Sequence, residues 1–309
     1  MWIVAFVLAL CIVFGYNTLF ATPANFSKGL ITITQGSSVS DISQELGRAH
    51  IIKHPRLFQF LLRISGTSSH LQAGVYLFES PQDLFVVAYR LITGSFGIPP
   101  VRLTFPEGTT VRDMAARITN TLPLVSEADF QRAGRPYEGY LFPDTYLFSP
   151  STDATSMIAT MRANFNTKIA SSSRDIAASG HTLSDIVIMA SLIEKEARTS
   201  AVRRIVAGIL WNRLRLGMPL QVDAVFGYIF NRDTYSPSFE DLKVDSPYNT
   251  YTHTGLPPGP INNPGLDAID AALHPTKTDY LYYLTGKDGV MHYAMTYAGH
   301  QANQARYLH

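Results

Sequence analysis

Thr182-Leu183-Ser184-Asp185-Ile186-Val187-Ile188-Met189-Ala190-Ser191-Leu192-Ile193-Glu194-Lys195-Glu196-Ala197 is the stretch from which the rest of the chain is best read. Thr182 stands where a helix N-cap belongs, and Asp185 falls in the first turn, where a carboxylate complements the helix dipole. Ile186, Val187, Met189, Ala190, Ile193 and Ala197 are too apolar for a surface helix, so the pattern predicts a largely buried one. At about 100° per residue, Glu194 projects beside Val187, Ala190 and Ala197, whereas Glu196 turns further from that face. A carboxyl at the rim of a buried face loses hydration in its charged form. Its pKa therefore rises toward the range of a general acid at neutral pH. A partly buried glutamate paired with an arginine fits the same pattern.

A second helix is predicted over 201–216, closed by Gly217. Val202, Ile205, Val206 and Ile209 form its apolar stripe. Arg203, Arg204, Arg213 and Arg215 lie largely away from that stripe and read as a solvated face or as ion-pair partners. Upstream, 162–180 reads as a polar helical stretch. Downstream, Leu220-Gln221-Val222-Asp223 opens a turn-rich region whose densest part is 246–260, from Ser246-Pro247-Tyr248-Asn249 to Pro258-Gly259-Pro260. Prolines fix such a backbone at little entropic cost. Tyrosine and asparagine on a rigid loop suit sugars, through ring stacking and hydroxyl contacts; a structural surface loop is the plainer alternative. A short helix then stops at His274-Pro275, Gly286-Lys287-Asp288-Gly289 marks a hairpin turn, and a helical tail follows.

The 309 residues suffice for one large or two modest domains. With 25 Lys and Arg against 24 Asp and Glu, the net charge of +1 argues against an electrostatic nucleic-acid binder. Cys11 is the only cysteine, so no internal disulfide or thiolate-rich metal site can form. Residues 2–20 are apolar apart from Asn17 and Thr18 and carry no charge. Their length approaches the roughly 20 residues of a membrane helix, which predicts a retained anchor over 1–21. A cleaved signal peptide is the alternative, but Ala21-Thr22-Pro23-Ala24 is a poor cleavage site and no basic residue precedes the segment. Orientation is weakly encoded, because the first charge is Lys28.

An internal repeat follows. Ile31-Thr32-Ile33-Thr34-Gln35-Gly36-Ser37-Ser38-Val39-Ser40-Asp41-Ile42 aligns with Leu103-Thr104-Phe105-Pro106-Glu107-Gly108-Thr109-Thr110-Val111-Arg112-Asp113-Met114. Each copy reads as strand, Gly turn and capped helix, then a second helix (55–64 and 127–133), then a Gly-aromatic strand: Ala73-Gly74-Val75-Tyr76-Leu77-Phe78 and Glu138-Gly139-Tyr140-Leu141-Phe142. Such strand-helix-helix-strand units are common in small carbohydrate-binding modules. The join at 93–100 reads as a linker.

No nucleophile elbow, P-loop or dinucleotide fingerprint is present. His50 and His54 lack a glutamate in zincin position, so neither a metal nor a cofactor is expected. A two-carboxylate glycosidase would need a partner for Glu194; Glu138, Asp144 and Asp223 are available, and spacing selects none.

Taken in order, these motifs resemble the YceG-like (MltG) family of membrane-anchored endolytic murein transglycosylases. The most specific are 138–146, 190–196, Asn212-Arg213-Leu214, 220–223, Tyr248-Asn249-Thr250-Tyr251, Gly255-Leu256-Pro257-Pro258-Gly259 and His274-Pro275. The resemblance implies an α+β ectodomain on a single N-terminal transmembrane helix: a LysM-like module over 28–98, then a catalytic domain over 99–309. It also implies that the first Glu of the Glu-Lys-Glu segment, Glu194, is the catalytic acid. Glu138, Gln221, Tyr248 and Asn249 would position sugar or N-acetyl groups. The implied substrate is the nascent peptidoglycan strand, cut between N-acetylmuramic acid and N-acetylglucosamine to leave a 1,6-anhydro end. The implied place is the outer side of the bacterial cytoplasmic membrane, beside peptidoglycan synthases. A hydrolytic muramidase and a non-catalytic glycan-binding scaffold are the alternatives. The segment 291–300 follows the family only loosely, so its histidines are assigned no role.

Overall fold

The computed structural model describes residues 14–20, 22–122, 125–232 and 236–308. Most of the expected anchor therefore lies outside the described residues; residues 14–19 are helical. Among the described residues no single helix is long and apolar enough to cross a membrane. The chain divides into two compact units, one running to Val101 with Leu147–Thr152 added, the other comprising Arg102–Tyr146 and Asp153–His309.

In the first unit β1 (Gly29–Ile33) pairs antiparallel with β2 (Gly74–Phe78), and α1 (Val39–Arg48) and α2 (Pro55–Ile64) lie between them in sequence. This is the strand-helix-helix-strand order expected from the repeat. Ser38 and Asp41 form a reciprocal capping box at the start of α1. Leu46, Phe58, Tyr76 and Phe78 are fully buried, joined by Val87 and Leu91 of α3 (Leu84–Thr93). The join at 93–100 is not a free linker. The Phe96 ring lies 4.7 Å from that of Tyr76, and Arg90 Nη2 donates to Leu77 O at 2.6 Å. Gly74 is needed there, since a β-carbon would sit 2.4 Å from Phe96.

The chain then repeats the order with β3 (Val101–Thr104), α4 (Val111–Thr121), α5 (Glu127–Gly134) and β4 (Thr145–Phe148). One expectation fails here. Glu138–Phe142 is not a strand but a turn, and the strand begins at Thr145. Gly139 adopts φ +85°, and a β-carbon on it would meet Pro260 at 2.5 Å and Val187 at 2.8 Å. An extended run cannot pass through that left-handed residue.

Next come α6 (Ala154–Ile169), α7 (Ser173–Ser179), α8 (Leu183–Glu196), α9 (Ser200–Arg215), α10 (Ala224–Ile229) and α11 (Leu266–Leu273). The hairpin of β5 (Tyr282–Thr285) and β6 (Met291–Ala294) and then α12 (Tyr297–Tyr307) complete the second unit. Helix α8 is its axis, packed against α9, α10 and α11. Thr182 and Asp185 form the expected capping box. Every residue from Ile186 to Ile193 is buried, so this helix has no outward face along its middle.

Candidate active site

The C-terminal end of α8 carries three charged residues in a row, and its neighbours decide what each can do. Ser191 anchors the loop 261–265: its Oγ accepts from Ile261 N at 3.1 Å, and its carbonyl accepts from Asn262 Nδ2 at 2.8 Å. Asn263, fully buried, ties this loop to two others. Its Nδ2 donates to Thr109 O at 3.0 Å and to Glu138 Oε1 at 2.9 Å, and its Oδ1 accepts from Leu141 N at 2.9 Å. Its backbone pairs with Gly108 and Thr109. The loops 106–109, 138–141 and 261–265 are thus held together over the end of α8.

Glu194 lies beneath this junction, its side chain only 5% exposed. Oε1 accepts from Arg203 Nη2 at 2.5 Å and Oε2 from the Gly265 amide at 2.9 Å. Arg203 is itself buried; it donates to Asp267 Oδ2 at 2.6 Å and to Ala197 O at 3.0 Å. Burial raises the pKa of Glu194, while the Gly265 amide and Arg203 pull it back. Gly265 has no room for a side chain, because a β-carbon would sit 2.0 Å from Glu107 Oε1.

Glu196 is differently placed. It lines a cleft of about 540 Å³, together with Glu107, Asp113, Lys195, Asp223, Tyr228 and the loop 106–110. Glu194 does not line this cleft. Tyr283 Oη donates to Glu196 Oε2 at 2.9 Å, and the Ala224 amide also bonds the carboxyl. Burial pushes its pKa up to about 7, and the nearby Asp223 adds to the rise. It is thus a cleft carboxyl raised into the neutral range, as a group that both gives and takes a proton needs to be. The helical wheel turns Glu196 further from the apolar face than Glu194, yet its carboxyl is buried as well. Strand β5 and the segment entering α10 close over it.

Glu138 does not reach the cleft lining. Its carboxyl accepts from the Val111 amide at 3.1 and 3.2 Å, capping α4, and from Asn263. Burial pushes its pKa to about 8. Asn249 is wholly buried, its amide donating to Leu242 O and Val244 O and accepting from Tyr251 N. Both of its amide hydrogens are spent in bracing its own loop. Gln221 is exposed, with φ +53° on a residue that has a β-carbon, and its Oε1 accepts from Arg213 Nη1 at 3.1 Å. Backbone strain of this kind collects at functional positions. Tyr248 is half-buried, its ring 5.0 Å from that of Tyr228, which lines the cleft. Of the other carboxylates available from sequence, Asp223 is in the cleft, where Tyr251 Oη donates to it at 2.5 Å. Asp144 is held elsewhere by Asn164, Thr145 N and Lys168, which lower its pKa.

Of the arginines read as a solvated face or as ion-pair partners, Arg203 is an ion-pair partner and Arg213 is buried rather than solvated; Asn263 and Tyr283 are given no role by the sequence reading. Arg213 is buried and donates to the carbonyls of Pro219, Leu220 and Leu281. Among the described residues no group of His, Cys, Asp and Glu side chains is arranged to hold a metal ion.

Comparison with known proteins adds to this geometry. The YceG-like family matches residues 31–306. An endolytic murein transglycosylase of Bacillus subtilis (strain 168) is 33% identical, the alignment covering 90% of this chain and 84% of that protein. An endolytic murein transglycosylase of Streptococcus pneumoniae serotype 2 is 30% identical, with 96% and 62% covered. Among solved structures, a yceG-like protein from Listeria monocytogenes superposes with a TM-score of 0.62 at 31% identity, covering 90% of this chain and 99% of that one.

Proposed function

Because the chain belongs to the YceG-like family, we propose that it is an endolytic murein transglycosylase, the activity its relatives' names carry, with Glu196 as acid and base. The observation that carries the residue assignment is the Glu196 carboxyl, which lines the cleft and whose pKa burial pushes up to about 7. Protonated, it donates to the glycosidic oxygen of the leaving N-acetylglucosamine as the bond from C1 of N-acetylmuramic acid breaks. As carboxylate, it then takes the proton from the 6-hydroxyl of the same muramic acid, whose oxygen closes onto C1. The product end is a 1,6-anhydro sugar. No water is consumed, and Glu196 ends as it began. The substrate supplies the nucleophile, so one carboxyl suffices. On this reading Gln221 and Tyr248, which lie outside the cleft lining, contact the strand beyond it, whereas Glu138 and Asn249 hold the loops that shape the site.

Glu194, the acid implied by the family resemblance, has one observation in its favour: burial raises its pKa beside the Glu107 loop. Against it stands the two-sided hold of Arg203 and Gly265. Glu196→Gln and Glu194→Gln separate the two readings on uncrosslinked glycan strands, with products read by mass spectrometry. We expect Glu196→Gln to lose at least 100-fold in kcat and folded Glu194→Gln to keep most of it. The reverse pattern returns the role to Glu194. Asp223 and Glu107, as further carboxylates in the cleft, favour a hydrolytic second reading; reducing ends in place of anhydro ends would establish it.

We further infer that 2–20 anchors the chain in the bacterial cytoplasmic membrane with the second unit outside, near the synthases that make the strand. The first unit would serve as a LysM-like module; its strand-helix-helix-strand order supports this.

A further inference from the structure

Tyr283 is a side chain whose hydroxyl is bonded to Glu196 in the cleft. It projects from β5, and its Oη donates to Glu196 Oε2 at 2.9 Å. Burial and the neighbouring Glu196 carboxylate push its own pKa well above the usual tyrosine value, so the phenol stays protonated and acts as a donor. Burial opposes the ionisation of Glu196. Asp223, ahead of α10, adds repulsion, and the hydroxyl of Tyr251 is committed to Asp223. Lys195 is the adjacent cleft-lining cation, and Arg213 acts on Tyr283 from α9. The Ala224 amide is the other hydrogen-bond donor to the Glu196 carboxyl.

We propose that Tyr283 is a positioning residue for proton transfer, holding Glu196 by Oε2 so that Oε1 carries the proton presented to the cleft. This rests on the reading of Glu196 as the acid. A rotating carboxyl would divide its proton between two oxygens and two directions; a fixed one delivers it along a single line. The same hydrogen bond favours the charged form and so opposes the effect of burial.

The test is the pH dependence of kcat/KM on uncrosslinked strands for the full chain, Tyr283→Phe and Glu196→Gln, with thermal midpoints measured alongside. Tyr283→Phe keeps the ring and removes only the donor. Its kcat is expected to fall roughly tenfold with little change in KM, and its basic limb to move up by about half a pH unit or more, because the acid form survives to higher pH. Replacing Tyr283 by 3-fluorotyrosine, a stronger donor, is expected to move the limb down. An unmoved limb and unchanged kcat in both variants, with Glu196→Gln inactive, would overturn the role of Tyr283 and leave the acid assignment intact. A fully active Glu196→Gln would overturn both.

Discussion

At the scale of single residues, Glu194 and Glu196 show how differently two neighbouring carboxyls of one helix can be held. They are two positions apart and both are buried enough for their pKa values to rise. Glu194 meets a guanidinium and an amide; Glu196 meets a phenol, an amide and open cleft. If Glu196 is the acid, kcat/KM falls as pH rises through about 7, since the reactive form is the protonated one. Arg203 sits between Glu194 and Asp267. Its replacement by Met leaves a buried carboxyl without its cation, and we expect a loss of roughly 3–5 kcal/mol in urea unfolding. Adding Glu194→Gln to that variant should recover part of the loss, because the uncompensated charge is removed; additive losses would mean the pair is not coupled.

At the scale of elements, the site depends on loops held over a helix end. Gly139 lets the turn 138–141 pass between Pro260 and Val187, where a β-carbon fits neither the backbone angle nor the space. Gly139→Ala should therefore cost about 2–4 kcal/mol and lower activity as well, because Glu138, Asn263 and the loop 106–109 move together. A variant of wild-type stability would show that the turn can relax without disturbing its neighbours. How far this region was legible differs by element. The cap at Thr182, the capped helix of the first repeat and the hairpin turn at Gly286 to Gly289 are local signals, and the structure has them where the sequence placed them. The strand expected at 138–142 looked equally local, yet packing against residues more than a hundred positions away converts it to a turn.

At the scale of the whole molecule, residues 2–20 bear on where the chain works. The expected outcome is that the full chain sediments with membranes and is released by detergent, whereas a chain beginning at Pro23 stays in the aqueous fraction. A full chain recovered without detergent would remove the anchor. The two copies of the repeat match in element order, and each unit buries its own core.

The sequence by itself determined the helix at 183–196, its start, its burial and the presence of carboxyls at its end. Those depend on residue type and spacing within a few turns. It could not determine which carboxyl faces the cleft. With Ile186 to Ile193 buried on every side, periodicity marks no outward face, and the hydrophobic wheel that pointed to Glu194 had nothing to measure. That choice was made by side chains distant in sequence: Arg203 and Gly265 hold Glu194, and Tyr283 and the Ala224 amide hold Glu196 beside the cleft. Proton chemistry depends on desolvation and on nearby donors, and only the tertiary structure brings those together.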